Sequence, residues 1–169
     1  MAVAVLPTAA PVELTAKDKG VKITGVGLEA TPGLKTAEMQ KDVTIKVEPK
    51  SEQMGGEPLT ITCDGPLEID QAKSVAVLKN NVVAVQLGRT LKTDRMEVYF
   101  DPANKKITQM ICDGHFYLVQ AGNSTQADHA VYDAVTQKVT LSGRPKLILI
   151  TQGENSITSL NKKENKEKP

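Results

Sequence analysis

The residues of this chain that can carry out acid, base or metal chemistry are few and far apart. His115 and His129 are the only histidines, and neither has Cys, Asp or Glu at a metal-ligand spacing. His129 follows Asp128, but adjacent residues on a strand point to opposite faces, so these two side chains cannot act together. The sequence also contains no serine elbow, glycine-rich phosphate loop or recognisable Cys–His pair. We therefore predict a protein that is not an enzyme and has no metal or cofactor.

The acidic residues and cysteines that recur along the chain are interpreted as structural. Asp94 and Asp128 occupy matching places in similar stretches, which favours turn or rim residues over a catalytic carboxylate pair. Cys63 and Cys112 each precede an Asp-Gly, which predicts that they lie on neighbouring strands with their Cα atoms within about 7 Å. A cross-strand disulfide and two buried thiols both remain open.

The elements that position these residues are predicted from an internal repeat. Residues 122–149 can be laid over residues 88–118, since both have an opening Gly, a strand, a polar turn, a second strand, another Gly and an apolar strand. A weaker copy begins at Gly20, where residues 28–30 correspond to residues 96–98. A period of roughly 30 to 35 residues is typical of stacked supersecondary units that bury their apolar faces against each other. We predict an elongated β structure of about four such units.

The spacing of apolar residues predicts strands throughout and no helix longer than about two turns. Apolar and polar residues alternate from Val12 onward, and no segment holds a helical spacing for three turns. We expect a flexible lead-in at 1–11, one β domain at 12–152 with a surface loop at 51–58, and a polar charged tail at 153–169.

The composition excludes some classes of function. The 21 basic and 20 acidic side chains leave a formal charge of +1, which argues against a nucleic-acid-binding protein. No apolar run reaches the roughly 18 to 20 residues of a membrane-spanning helix. Hydrophobic residues make up 40% of the chain but aromatic residues only 3%, so a buried face must be mainly aliphatic.

Aliphatic side chains recur on one predicted face of successive strands. If the sheet folds over on itself, this face encloses one long interior. The predicted interior residues are Leu28, Ala30, Val83, Val85, Met96, Val98, Phe100, Phe116, Leu118, Ala130, Tyr132, Leu147 and Leu149. The interior is either an ordinary sandwich core or a trough for lipid, which would gain about 0.8 kcal/mol for each CH₂ removed from water.

The order of motifs in the last unit resembles the OstA-like domains of the lipopolysaccharide-transport proteins LptA and LptC. It reads Gly-x-x-x-x-Ala-Asp-x-Ala-x-Tyr, a polar turn, Lys-Val-x-Leu and then Gly-x-Pro-x-Leu. The residues that carry it are Gly122, Ala127, Asp128, Ala130, Tyr132, Lys138, Val139, Leu141, Gly143, Pro145 and Leu147. The resemblance covers about residues 20–151. The stretch 20–30 is more similar to LptC, which an N-terminal membrane helix holds in that family.

This resemblance implies an all-β fold, an elongated twisted β-jelly roll of stacked repeat units with an apolar interior groove. It also implies a periplasmic protein that binds and relays lipopolysaccharide, with other lipopolysaccharide-transport proteins as partners. Open edge strands would support head-to-tail contact with those partners. Membrane contact is expected only through an N-terminal anchor or through partners. The lipid-binding residues implied are Val83, Val85, Met96, Val98, Phe100, Phe116, Leu118, Ala130, Tyr132, Leu147 and Leu149.

Two other classes of function remain as alternatives. A structural β-solenoid or adhesin-like protein would have a closed core and bind nothing apolar. A glycan-active β-helix enzyme would need paired carboxylates in one cleft. For the lipid-binding alternative, we expect basic side chains near the mouth of the groove, where they would meet phosphates. These are Arg89, Lys92, Arg95, Arg144 and Lys146.

Overall fold

Nearly all of the structure is β-strand. The computed structural model describes residues 4–5, 11–17, 20–48, 57–103 and 106–150. The longest helical segment with defined ends in these ranges is a 3-10 turn at Pro32–Leu34. The strands are β1 (Ala4–Val5), β2 (Pro11–Ala16), β3 (Val21–Ala30), β4 (Thr36–Val47), β5 (Leu59–Cys63), β6 (Leu67–Asp70), β7 (Val75–Gln86), β8 (Arg89–Phe100), β9 (Ile107–Gln120), β10 (Asn123–Asp133), β11 (Lys138–Ser142) and β12 (Lys146–Ile148). The predicted all-β class is confirmed.

The strands form one antiparallel sheet of twelve strands among the described residues. Neighbours in the sheet are mostly neighbours in the chain, because tight turns join antiparallel strands directly. β5 and β6 together fill the place of one long strand between β4 and β7. β11 and β12 likewise share the length of β10.

The register of the strands confirms the predicted repeat. Met96 pairs with Cys112 in one unit, and Ala130 pairs with Leu141 at the matching place in the next. Leu28 lies in the same row, as the weaker copy at the start of the chain predicts. The units are β3 with β4, β5 and β6 with β7, β8 with β9, and β10 with β11 and β12.

The long strands are interrupted near their middles, and the interruptions align across the sheet. Register shifts fall between Thr24 and Val26, Lys79 and Val82, Lys92 and Arg95, and Ala127 and His129. Such irregularities bend a strand and re-aim its side chains. We call this aligned line of bends the corner. It divides the sheet into two walls.

Each wall carries an unbroken row of directly paired residues on its inner side. The row of the front wall is Leu14, Ile23, Ile45, Ile61, Ala84, Leu91, Leu118, Thr125 and Leu147. The row of the back wall is Leu28, Met39, Leu67, Leu78, Met96, Cys112, Ala130 and Leu141. Residues of both walls belong to one hydrophobic cluster, so the two inner faces pack towards each other.

The core is tightest in the back wall and at the corner. Met39, Leu67, Leu78 and Met96 are at most 2% exposed. Leu28 and Ala30 are buried as predicted. Burial of each large aliphatic side chain contributes about 1.5 to 3 kcal/mol, which stabilises the bent sheet although aromatic residues are scarce.

Two successive units build the corner from the same three components. The backbone of Gly114 lies against Asp94, and the backbone of Gly143 lies against Asp128, in both cases too close to leave room for a Cβ. The residue after each glycine has positive φ and pairs with that aspartate. His115 Nδ1 is 2.7 Å from Asp94 Oδ2. The repeated aspartates are therefore structural, as predicted, but they lie at the corner.

His115 at the corner is a titratable group whose partner is the carboxylate of Asp94. The hydrogen bond and charge of Asp94 raise the pKa of His115 above its ordinary value of about 6.5. Protonated His115 therefore stabilises the fold at low pH, and this contribution is lost as pH rises through the raised pKa. We expect Asp94→Asn to return the pKa towards 6.5 in an NMR titration of the His115 ring. An unchanged midpoint would show that the pair does not form in solution.

The prediction that Cys63 and Cys112 lie on neighbouring strands is wrong. Cys63 ends β5 and pairs with Val43, whereas Cys112 lies in β9, beyond β7 and β8. Both are buried free thiols. The Asp-Gly after each cysteine marks a bend, but β5 and β9 run in opposite directions, so the shared tripeptide is not a structural repeat.

At the ends of the chain, Ala4–Val5 pairs with β3, although it falls in the predicted lead-in. The sheet occupies most of the predicted domain of 12–152. The tail at 153–169 and most of the loop at 51–58 lie outside the described residues.

Candidate functional site

A cavity of about 610 Å³ lies between the two walls in the C-terminal half of the sheet. Ile61, Ala84 and Leu118 line it from the front wall, and Met96 and Cys112 line it from the back wall. The other lining residues are Leu59, Gln86, Arg89, Leu91, Lys106, Ile107, Met110, Phe116, Gln120, Ala130, Tyr132, Ala134, Gln137 and Val139. Most of these side chains are aliphatic or aromatic, so the cavity suits an apolar ligand.

Five of the predicted lipid-binding residues come together around this cavity. They are Met96, Phe116, Leu118, Ala130 and Tyr132. Ala130, which is 3% exposed, contributes a small side chain to the back wall of the cavity. Val98 and Phe100 also face inward and pack in the core, but they do not line the cavity.

Val83 and Val85 do not face the interior, and the prediction that they do is wrong. Val83 pairs with Thr62 and Lys92 on the outer side of the front wall, and Val85 is 46% exposed. Val82, Ala84 and Gln86 point inward instead, in phase with Leu78 on the back-wall side of the bend.

Leu147 and Leu149 lie at the C-terminal edge of the sheet and do not line the cavity. Leu147 extends the inner row of the front wall by pairing with Thr125, but it is 61% exposed. Leu149 follows β12 and is also exposed. The interior is thus open at this edge in the described structure.

Sequence reasoning missed much of the front-wall lining. The missed residues include Ile61 on β5, Ala84 on β7 and Leu91 on β8. In β7 the four residues 82–85 are all apolar, so the sequence there does not show which of them face the interior. Gln86 and Gln120 were not predicted to line the cavity, because polar residues are not expected on an inner face. The matched pairing of Gln86 with Arg89, and of Arg89 with Gln120, becomes visible only in the register.

One of the five basic residues predicted near the mouth is there. Arg89 lines the cavity at the free margin of the front wall. Lys92 and Lys146 lie on the outer side of that wall, as their pairing with Val83 and Gln126 shows. Arg95 and Arg144 instead join ion pairs with carboxylates at the corner or on the outer face. Lys106, which was not predicted, lines the cavity from the back-wall side.

The buried thiol of Cys112 contributes packing rather than reactivity. Burial raises its pKa to about 12, with a smaller contribution from the charge of Asp113. The thiolate is therefore scarce at neutral pH, and a thiol without thiolate character is a weak nucleophile. Cys112 serves as a small apolar element of the back wall.

The remaining titratable clusters are ion pairs within the structure. His129 Nδ1 pairs with Asp113 Oδ1, and Arg144 binds both carboxylate oxygens of Asp128 at 3.0 and 3.1 Å. The arginine lowers the pKa of that carboxyl group. In the described part of the chain, no group of three or more His, Cys, Asp or Glu residues is arranged to hold a metal ion.

The chain matches a known family of proteins. The model of the family described as LptA/(LptD N-terminal domain) lipopolysaccharide transport protein matches residues 60–161, more than half of the chain. The match includes all residues that line the cavity except Leu59. None of the curated proteins matches the sequence.

A solved structure with a similar fold is LptH from Pseudomonas aeruginosa, the LptA-homologous periplasmic component of the lipopolysaccharide transport device. The TM-score is 0.59 at 13% sequence identity, and the alignment covers 81% of this chain and 98% of LptH. The similarity supports the bent sheet with two walls. Among the described residues, no helix has the length and apolar character needed to cross a bilayer.

Proposed function

Since this chain belongs to the family of lipopolysaccharide transport proteins that comprises LptA and the N-terminal domain of LptD, we propose that it binds lipopolysaccharide and relays it through the periplasm without catalysis. The acyl chains would enter between the walls. The observation that carries this proposal is the cavity of about 610 Å³ with aliphatic walls.

The physical basis is transfer of acyl chains from water to an apolar surface. Each buried CH₂ contributes about 0.8 kcal/mol, so about ten methylenes contribute roughly 8 kcal/mol before the cost of ordering lipid and protein. We propose that Met96, Phe116, Leu118, Ala130 and Tyr132 make these contacts. The lining residues Ile61, Ala84 and Leu91 would join them.

The cavity favours this function over the two alternatives. A structural solenoid with a closed core would fill its interior with side chains, as close packing requires. A glycan-active enzyme would direct a pair of carboxylates into one cleft. The described lining residues include neither Asp nor Glu.

We further propose head-to-tail contact with similar proteins. The outer edges of β2 and of β11 and β12 have no paired strand among the described residues, so their backbone groups are able to accept another strand. Val139 and Leu147 leave inner-face apolar surface exposed at the C-terminal edge, and a partner strand would cover it. A joined partner would continue the groove. Any membrane contact would come through such partners or an N-terminal anchor.

The head-to-tail contact predicts a face-specific effect of charge at this edge. We expect Leu147→Asp to weaken self-association or binding to an LptA-type partner, because the carboxylate would lie inside the joined groove. Ile148→Asp is the matched control, since Ile148 lies next to it on the outer side at 45% exposure. Sedimentation velocity over a range of concentrations measures the effect. Equal behaviour of both variants would contradict contact through the inner face.

The lipid-binding proposal is tested with fluorescently labelled lipopolysaccharide. We expect saturable binding to the folded protein and competition by unlabelled lipopolysaccharide. A water-soluble polysaccharide without acyl chains should not compete. The absence of saturable binding, or equal competition by the deacylated polysaccharide, would refute the proposal.

A further inference from the structure

The polar part of the cavity lining has a single sign of charge. Arg89 and Lys106 are the only charged residues among the described residues that line it. The other polar side chains there include Gln86, Gln120 and Gln137, which are neutral. A formal net charge of +1 for the whole chain does not by itself predict this segregation. A cavity with two cations and no carboxylate among its described lining residues favours an anionic ligand group.

Arg89 is placed at the free margin of the front wall by the turn between β7 and β8. It is the first residue of β8 and lies between Gln86 and Gln120 in the register. Its side chain is exposed and makes no ion pair within the described residues. A guanidinium presents a planar set of donors that fits two phosphate oxygens, and the amide of Gln120 adds donors beside it.

Lys106 approaches from the other side of the opening. It immediately precedes β9, whose first residues belong to the back wall, where Ile107 pairs with Phe100. Lys106 is exposed and also lines the cavity. An ammonium on a flexible four-carbon stem acts as a point charge that adjusts to a bound anion. The two cations therefore come from opposite walls.

A second concavity of the protein has the opposite character. It measures about 490 Å³ and is lined by four carboxylates, Glu29, Glu38, Glu68 and Asp70, with Lys73 as the one cation among the described lining residues. Carboxylates at this density repel an anionic headgroup. The charge pattern thus separates the two concavities, because carboxylates outnumber the single cation in the second, whereas the first has two cations and no carboxylate among its described lining residues.

We propose that Arg89 and Lys106 form a clamp across the opening of the groove that binds a phosphate carried on the headgroup of an acylated lipid. This inference rests on the proposed uptake of acyl chains, since the chains place the headgroup between the two margins. The clamp makes the protein select phosphorylated amphiphiles over neutral ones with the same chains. Gln120 positions the phosphate against Arg89 by hydrogen bonding.

The test compares ligands that differ only in phosphate. Binding of bisphosphorylated lipid A and of the same lipid after enzymatic dephosphorylation is measured with the wild-type protein and with Arg89→Gln, Lys106→Gln and the double variant. Lys92→Gln is the matched control, because Lys92 lies three residues along β8 on the outer side of the same wall. A parallel pair, phosphatidic acid and diacylglycerol, shows whether the phosphate of a glycerolipid is also recognised.

For the wild-type protein we expect the phosphorylated lipid to bind at least tenfold more tightly than its dephosphorylated form, with the difference shrinking as salt increases. The double variant should lose this preference and keep its affinity for the dephosphorylated lipid, while Lys92→Gln behaves as wild type. Thermal unfolding of each variant shows that the fold is retained.

The possible failures are distinguishable. Equal affinity of the wild-type protein for both forms of lipid A, or an unchanged preference in the double variant, overturns the clamp but leaves acyl-chain binding standing. A loss of preference in Lys92→Gln equal to that in Arg89→Gln also overturns it, because the effect would then be general surface charge. Failure of the wild-type protein to bind any acylated ligand overturns the proposed function itself.

Discussion

We expect Leu118→Glu to lower the affinity for lipopolysaccharide by more than tenfold while the protein stays folded. Leu118 lies in the inner row of the front wall between Leu91 and Thr125 and lines the cavity. Its side chain is only partly buried, so a carboxylate there reaches water. An acyl chain in the groove would remove that water, and an unpaired buried carboxylate costs several kcal/mol. Each 1.4 kcal/mol of this cost weakens binding about tenfold.

Val119→Glu is the matched control for this prediction. Val119 is the next residue of β9 and faces the outer side, where it pairs with Thr90 and Ser124. The Val119→Glu variant should bind lipopolysaccharide with the affinity of the wild-type protein. Binding and thermal unfolding must be measured on the same samples, since a residue of a closed core would unfold the protein instead. A folded Leu118→Glu variant with unchanged affinity would refute the groove, and an unfolded one would favour the closed core.

The second large effect is expected at the corner, where Gly65→Ala should destabilise the protein by about 3 kcal/mol or more. Gly65 has φ of +103°, and a Cβ there would lie 2.7 Å from the Cα of Lys41 and even closer to the carbonyl oxygen of Gln40. These are backbone atoms of β4, so they cannot move aside without disturbing the ladder. Left-handed strain of about 1 to 2 kcal/mol adds to overpacking of about 1 to 3 kcal/mol.

The variant Gly88→Ala separates the cost of backbone strain from the cost of overpacking. Gly88 also has positive φ, +71°, but a Cβ there would meet no atom within 4 Å. We expect a loss of only about 1 kcal/mol, which is a shift of roughly 2 to 4 °C in the unfolding midpoint of a protein of this size. Chemical denaturation of both variants measures the difference. Equal losses would mean that the close approach of the strands at the corner is relaxed in solution.

The candidate site was predictable where a strand alternates cleanly. Met96 and Val98 on β8 are spaced by two and alternate with the charged residues Arg95 and Glu97, so their inward orientation follows from the strand period. The apolar run of β7 offers no such contrast, and there the prediction selected the outer residues Val83 and Val85. The prediction of basic residues near the opening was no better, because the identity of a basic residue does not show which face of the sheet it occupies.

Composition, alternation and self-similarity in the sequence by themselves determined that this protein is an all-β chain of about four repeated units with an aliphatic inner face. These are properties of local backbone preference and of the two-residue period, which act within one strand. Tertiary structure alone decided where the strands bend, and therefore which residues of β3, β8 and β10 face inward beyond the bend. A shift of one residue reverses every following side chain. The order of strands in the sheet separates Cys63 from Cys112, and the alignment of bends brings Arg89 and Lys106 to one opening.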